Sequence, residues 1–584
     1  MDRAIALVYV FGLFWLTGSP AWAGAELGEA LRERLETDYP RDELVIAGQP
    51  LQSPELLRAL YAPRGWRPIW FDARGRPSAL QGQLLAAIDR ARDHGLKPEH
   101  YHRDPLGRWL AEVDATGELG DPLELELLAS DGLLSLGQHL LHGRLDPELI
   151  DSGWLLQRDV PDLLEVLSDP PGDQPVDLPA VLDRLAPRYP GYWRLLERLA
   201  LQRELAHDGD WPAIEGGPLL RPGERDGRVP AIARRLLKLG DLAPDEAGAE
   251  DDRTLYSERL VESVRAFQRR HGLVVDGIVG PRTLAELNVT PARREAQLRA
   301  NLERWRWLPR DLGDEYLLVN IAGYTLYLRA EDEIVMTQRV VVGTPARRTP
   351  VFSGRMSYLV LNPSWEVPPR LAVRDILPRI RADESYLENM GFSVYQGWGD
   401  DARRVDPDSV DWTRLSARHF PYRLRQAPGP ENALGRVKFM FPNRHHVYLH
   451  DTPARELFER EERAFSSGCI RVEDAGKLTQ WLLNERSSIM APERIGAVLD
   501  SGVETTVRLD RPLPVHLLYW TAWVDERGRI QYRSDIYRRD PPLIETLDAA
   551  PVDLQGNAEF EALDTTDRGA APAAAGGPGA GCAL

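Results

Sequence analysis

The sequence predicts a multi-domain α+β chain, and three observations carry that reading. Its 584 residues exceed what one hydrophobic core organises, at roughly 150 residues per domain. Apolar positions recur with a helical period up to about residue 291, and after about residue 299 they alternate with period 2. Hydrophobic residues make up 43% and charged residues 28%, the balance of an ordinary water-soluble globular protein. With 90 acidic and 72 basic residues the net charge is −18, which argues against a nucleic-acid partner because phosphate binding needs a basic face. Two cysteines, Cys469 and Cys582, exclude a disulfide framework and a multi-cysteine zinc site.

Residues 1–23 read as a secretory signal. An apolar run at 4–16 is followed by Gly18, Pro20 and the small-x-small triplet Ala21-Trp22-Ala23. The run is too short for a spanning helix, and an uncleaved membrane anchor is the alternative because Arg3 is its one cation. The chain is therefore expected in an exported, oxidising compartment, where a thiol calls for a reason.

Residues 24–225 read as a helical scaffold region. "QGQLLAAIDRARDHGL" sets Leu84, Leu85, Ile88 and Ala91 on one face and stops at Gly95, and Asp121-Pro122 reads as the N-cap and first residue of a leucine-rich helix ending before Gly143. Trp66, Trp70 and Phe71 fit core packing better than a sugar-binding surface. Residues 229–291 read as a three-helix bundle: Ile232, Leu236 and Leu239, then Leu260, Val264 and Phe267 closed by Gly272, then Leu284 and Leu287 after Pro281. Residues 299–564 read as a mainly antiparallel β domain, interrupted at about 369–430 by charged helical stretches and loops that form a lid or capping insertion. A hairpin is expected to turn at Asp525 to Gly528, and the Ala/Gly/Pro-rich tail 565–584, with Cys582, is expected to be disordered.

The chemistry concentrates in "HHVYLHDTPARELFEREERAFSSGCIRVEDAGKL". On a strand His446, Tyr448 and His450 share one face. Cys469 follows at the start of another apolar stretch, and a thiol becomes a nucleophile when a base lies within hydrogen-bond reach. His450 is the candidate base, and Gly468 lets backbone amides approach an oxyanion. A cysteine after a glycine also fits a small buried hydrophobe; the exported compartment favours the reactive reading. His446 and His450 would lie roughly 13 Å apart on a strand, too far for one metal, so no metal is expected.

These residues resemble the L,D-transpeptidases with a YkuD-type catalytic domain, in particular their long exported members. His450 is followed nineteen positions later by Cys469 in Ser466-Ser467-Gly468-Cys469-Ile470-Arg471, and "NPSWEVPP", "VKFMFPN", "YLHDTP" and "LLYWTAWVDERGRIQYRSDIY" fit as well. Where many members carry a second histidine this chain has Ser467, which leaves His450 as the one histidine base. "VRAFQRRHGL", Asp276-Gly277 and "GPRTLAEL" resemble a three-helix peptidoglycan-binding domain, with a spacer that has lost its ligand as the bland alternative.

The resemblance implies that Cys469 attacks a tetrapeptide stem between a diamino acid and the terminal D-Ala, with peptidoglycan stem peptides as partners, the periplasm as location and no cofactor. It implies that His450 carries the proton, that the Asp451 carbonyl orients His450, and that the Gly468 and Cys469 amides hold the oxyanion. Arg471 would pair with a stem carboxylate or with a neighbouring acid, while Tyr448, Trp365 and Ser467 would line the substrate site, the two aromatics having core packing as their alternative. The implied product is a 3→3 cross-link. Hydrolysis by the same acyl-enzyme, an L,D-carboxypeptidase, and a non-catalytic wall-binding scaffold are the alternatives.

Overall fold

The computed structural model describes residues 22–36, 44–71, 76, 78, 80–116, 121–156, 161–168, 177–244, 253–331, 333–397, 401–488 and 492–551. The expected signal up to residue 21 and the expected disordered tail with Cys582 lie outside the described residues. No described helix is long and apolar enough to cross a membrane.

The N-terminal region is built round the helix Pro122–His142. Asp121 Oδ1 accepts from the Leu123 amide, Pro122 takes the first turn, and Gly143 at φ +87° ends it. Its leucines from Leu125 onward are buried, and so are its polar side chains Glu126, Ser130, Asp131 and Ser135, which bond the surrounding segments. Glu126 accepts from the Ile69 and Trp70 amides and from the Tyr61 hydroxyl, and burial pushes its carboxyl up to about 7. Trp70 and Phe71 belong to this core, with the Trp70 indole N–H on Ser130 Oγ at 2.8 Å and Trp66 half-buried beside them.

Three findings redraw the expected outline. The helical region is shared between two cores: Leu145, Trp154, Tyr192, Leu195 and Leu199 pack with the β domain, and the ring of Trp154 meets that of Trp307 edge-on at 4.9 Å. The three-helix unit, Val229–Lys238, Glu258–Arg270 and Pro281–Leu287, has the expected core but takes in Ile214 and Leu220 upstream of 229. Residue 299 lies inside a helix, Pro291–Arg306, capped by Thr290 Oγ1 on the Arg293 amide. Its many Arg and Glu residues hide a buried stripe of Leu298, Ala300, Leu302 and Trp305, which packs on the β domain.

The β domain begins at Glu315. Its nine strands are β1 Glu315–Asn320, β2 Thr325–Ala330, β3 Glu333–Gly343, β4 Phe352–Leu361, β5 Val437–Met440, β6 Leu449–His450, β7 Ala464–Ser466, β8 Ile470–Val472 and β9 Thr505–Leu518. They run in the order β7-β3-β8-β6-β5-β4-β9-β1-β2, and β2 also pairs with β3, so eight strands close into a ring. Most pairs are antiparallel; β6 with β8, β7 with β3 and β9 with β1 are parallel.

The insertion is more than helices and loops. Besides Leu377–Ala382 and shorter helical turns it holds the strands Phe392–Gln396, Arg403–Val405 and Tyr422–Gln426, which join Trp365–Glu366 in a separate four-stranded sheet. The strands are short, and polar or charged neighbours, Ser393 and Tyr395 in one and Arg423 and Arg425 in the other, conceal the alternation that buries Phe392, Val394 and Leu424. The C-terminal hairpin, Ala522–Val524 with Ile530–Tyr532, turns where expected, Asp525 O accepting from the Gly528 amide.

Candidate active site

The site is made by three neighbouring strands at one register position. Lys438 of β5 faces His450 of β6, and His450 faces Arg471 of β8. All three side chains therefore share one face, and with period 2 so do Tyr448 and Cys469. Cys469 sits just ahead of β8 and diagonal to His450, roughly 8 Å away between Cα atoms from ordinary strand spacings. The two side chains stand on the same face of the sheet, without a hydrogen bond between them among the described residues.

Cys469 is fully buried. The Tyr448 amide donates to its sulfur at 3.4 Å, and the thiol donates to the His446 carbonyl at 3.7 Å. The turn before it is held from inside. Ser466 Oγ donates to the Cys469 carbonyl at 2.5 Å and accepts from the Gly468 amide at 3.1 Å. Gly468 has φ +115°, a conformation that excludes most side chains. Its carbonyl accepts from Thr349 Oγ1 at 2.9 Å, and Thr349 is fixed in turn by the Tyr537 hydroxyl, which accepts from the Thr349 amide at 3.1 Å and donates to the Gly343 carbonyl at 2.7 Å.

His450 is buried with one nitrogen committed. Nδ1 donates to the Asp451 carbonyl at 2.5 Å, which makes Nε2 the acceptor, and Nε2 has no hydrogen-bond partner among the described residues. Burial, the Arg471 guanidinium and the Lys438 ammonium push the imidazole down to about 3. It is neutral at neutral pH, the state a proton acceptor requires. The same shift has a consequence for stability. A folded-state value of about 3 against about 6.5 unfolded gives a contribution that is complete above pH 6.5 and is lost as pH falls toward 3. The stability advantage of the wild type over His450→Gln should shrink by about 1.4 kcal/mol per pH unit between pH 6 and 4, measured by denaturant titration.

Asp451 is anchored by its side chain, Oδ2 accepting from the Arg436 amide at 2.9 Å and Oδ1 pairing with Arg455 at 2.9 Å. Gly435 makes room for it. This residue has φ +62°, and a Cβ there would sit 2.5 Å from Asp451 Cγ and Oδ2. Gly435→Ala should displace Asp451 and the imidazole it holds, lowering turnover by about 10²-fold, since a misplacement near 1 Å costs that much. Steady-state rates checked against an unchanged circular dichroism spectrum would read the effect.

Arg471 is buried, makes no ion pair among the described residues, and its Nε lacks a hydrogen-bond partner. Ser467 Oγ is 2.6 Å from an Arg347 nitrogen that also pairs with Asp375 of the insertion at 2.8 Å, so Arg347 ties the cysteine turn to the insertion. Arg282 of the three-helix unit pairs with Glu461 and Glu462 at 2.8 Å each, on the segment leading into β7.

Several expectations need correcting. His446 is not on the strand: β6 is two residues long and His446 is an exposed turn residue at φ +54°, so the strand-spacing argument about a metal does not apply to it. Among the described residues no group of three or more His, Cys, Asp or Glu is placed to hold a metal ion. The Gly468 amide is taken by Ser466 Oγ, so Gly468 serves through its conformation instead of as an oxyanion donor. Trp365 is 1% exposed and packs against Phe392 within the insertion's sheet, so it is core and lines no groove. Tyr448 is buried too, but at the site: its ring lies edge-on to His450 at 5.7 Å and under the Lys438 ammonium at 4.0 Å. Lys438, Arg347, Thr349, Ser466 and Gly435 were not foreseen. "VKFMFPN" contained Lys438, and only the β5–β6 register reveals what it faces.

Residues 314–508 match the family model "L,D-transpeptidase catalytic domain". Over that segment the chain is similar to the YkuD-type L,D-transpeptidase catalytic domains. Cys469 and His450 both fall inside the matched segment. Residues 225–287 match the family model "Putative peptidoglycan binding domain" and residues 55–199 match the model "Scaffold domain". A Haemophilus influenzae protein named "Putative L,D-transpeptidase" is 40% identical over 258 residues, which is 44% of this chain and 50% of that protein. The N-acetylmuramoyl-L-alanine amidase CwlM of Mycobacterium tuberculosis is 38% identical over 90 residues, 15% of this chain and 22% of the amidase. The chain thus spans half or less of the length of these curated relatives. The solved L,D-transpeptidase (residues 123–326) of Xylanimonas cellulosilytica aligns with 52% of this chain and 98% of its own at 15% identity, with a TM-score of 0.16.

Proposed function

We propose that this protein is an exported peptidoglycan L,D-transpeptidase that forms 3→3 cross-links through a thioester on Cys469. The observation that carries the reading is the placement of a buried thiol diagonal to a neutral histidine on adjacent parallel strands, inside the segment matched to the catalytic-domain family. In the first half-reaction the Cys469 sulfur attacks the carbonyl carbon of the diamino acid at the third stem position. Its proton passes to His450 Nε2. The tetrahedral oxyanion falls to the Cys469 amide, and collapse breaks the C–N bond to the terminal D-Ala, whose amine leaves with the proton from His450. In the second half-reaction the side-chain amine of a neighbouring stem attacks the thioester, loses a proton to His450 and releases the thiol. Asp451 and Gly468 position the two reacting groups.

Arg471 is assigned to a stem carboxylate, for a buried guanidinium without an ion pair among the described residues is poised for a bidentate anion. The insertion, tied to the cysteine turn through Asp375, Arg347 and Ser467, is assigned the exclusion of water, the competing acceptor. The unit at 229–291 is assigned to wall glycopeptide, residues 24–225 to a scaffold, and the exported compartment to the periplasmic side. The test is incubation with purified disaccharide-tetrapeptide and mass spectrometry of the products. A dimer lighter by one D-Ala supports the proposal; tripeptide alone makes the protein an L,D-carboxypeptidase. No product at all, together with no carbapenem adduct on Cys469, leaves a wall-binding scaffold.

A further inference from the structure

Two cations share the face on which Cys469 lies, and neither makes an ion pair with a carboxylate among the described residues. Lys438 reaches that face from β5, largely buried, with its ammonium 4.0 Å from the centre of the Tyr448 ring. It makes no ion pair among the described residues. Arg471 enters from β8, buried, in the same condition. Desolvating an unbalanced cation is unfavourable, and Arg471 is buried while Lys438 is partly so, on one face. A negative charge on the same face would offset that cost, and the group placed to supply it is the sulfur of Cys469.

The electrostatics point the same way. Burial pushes the Lys438 ammonium down, and the charge that most opposes this is that of Cys469, ahead of Glu504; burial likewise pushes Arg471 down, with Cys469 again ahead of Glu456. The remaining titratable groups on the face are His450, held neutral by burial and by these same two cations, and the Tyr448 phenol. A cation that disfavours imidazolium favours thiolate, so both effects move charge toward sulfur.

We propose that Lys438 stabilises the Cys469 thiolate and is thereby a positioning and activating residue of the reaction, acting together with Arg471. When the thiol ionises its proton goes to His450 Nε2 or to solvent, and Lys438 holds the charge left on sulfur until the S–C bond forms. The inference rests on Cys469 being the nucleophile, and its test does not depend on turnover.

The test uses the full chain carrying Cys582→Ser, so that Cys469 is the one thiol, and follows thiolate absorbance at 240 nm against pH, with Cys469→Ala as the blank. Wild type should titrate below the ordinary thiol value of about 8.5. Lys438→Met should raise the midpoint by about one unit or more, and Lys438→Arg should restore most of the shift. Lys438→Gln, which keeps a polar head, should behave as Lys438→Met does; circular dichroism identifies a variant that has not folded. An unchanged midpoint in folded Lys438→Met or Lys438→Gln overturns the inference. So does a midpoint that rises equally in Lys438→Arg, which would mean that packing rather than charge is responsible. Muropeptide dimers still formed by Cys469→Ala would instead defeat the functional reading and leave the titration standing.

Discussion

Cys469→Ala is expected to reduce formation of muropeptide dimers to background and to abolish the carbapenem adduct, whereas His450→Gln should retain a residue of activity about 10²- to 10⁴-fold below wild type, the usual contribution of a positioned general base. The difference follows from where each group stands. Alanine removes the only atom that can form the thioester. Glutamine keeps a polar side chain of similar reach next to the Asp451 carbonyl but has no basic nitrogen, so the thiolate must form by loss of its proton to water. The two groups act on one proton, and their effects should not add: the double variant should match Cys469→Ala alone. Product quantification by mass spectrometry over a time course decides the matter. Dimer formation by Cys469→Ala would rule out the thioester route, and wild-type rates in His450→Gln would remove His450 from the proton path.

Much of this site was legible because its residues lie in short, punctuated runs. The period-2 pattern of "EYLLVNIAGYTLYLR" and "EIVMTQRVVVG" became β1, β2 and β3, and the Asp121-Pro122 start became a capped helix, because local patterning and turn chemistry agree there with the tertiary fold. What the sequence hid depends on register. Lys438 faces His450 only because the loop between β5 and β6 has the length it has, and a slip of one residue would turn it to the other side. His446 belonged to an apparent alternation that the turn breaks, its backbone having adopted positive φ. The engagement of the Gly468 amide is hidden because Ser466 looks like part of a motif, whereas its hydroxyl serves the turn itself. For Trp365 the sequence leaves groove and core open, because nothing local announces the second sheet that buries it.

Asp540→Ala is expected to cost about 3–5 kcal/mol of stability, because it strands a buried guanidinium. Arg304, on the helix Pro291–Arg306, is 1% exposed and pairs with Asp540 Oδ1 at 2.6 Å. Asp540 Oδ2 accepts from Thr521 Oγ1 at 2.8 Å, so one carboxylate joins that helix to the C-terminal hairpin. Burial raises the Asp540 carboxyl and the Arg304 charge pulls it back down, so the pair persists through mutual compensation rather than through hydration. At about 2–4 °C per kcal/mol for a domain of this size, the melting transition of the β domain should fall by roughly 10 °C. Arg304→Met combined with Asp540→Leu should recover most of it, since replacing both partners removes the unpaired charge as well as the pair. If the double variant melts as low as the single one, the loss lies in packing of the hairpin rather than in the stranded cation. The effect should reach catalysis only weakly below the transition. Tyr537, three residues from Asp540, holds Thr349 and through it the Gly468 carbonyl, but Tyr519 Oη accepting from the Tyr537 amide and Asp535 Oδ1 accepting from the Arg539 amide keep that segment in place without Asp540.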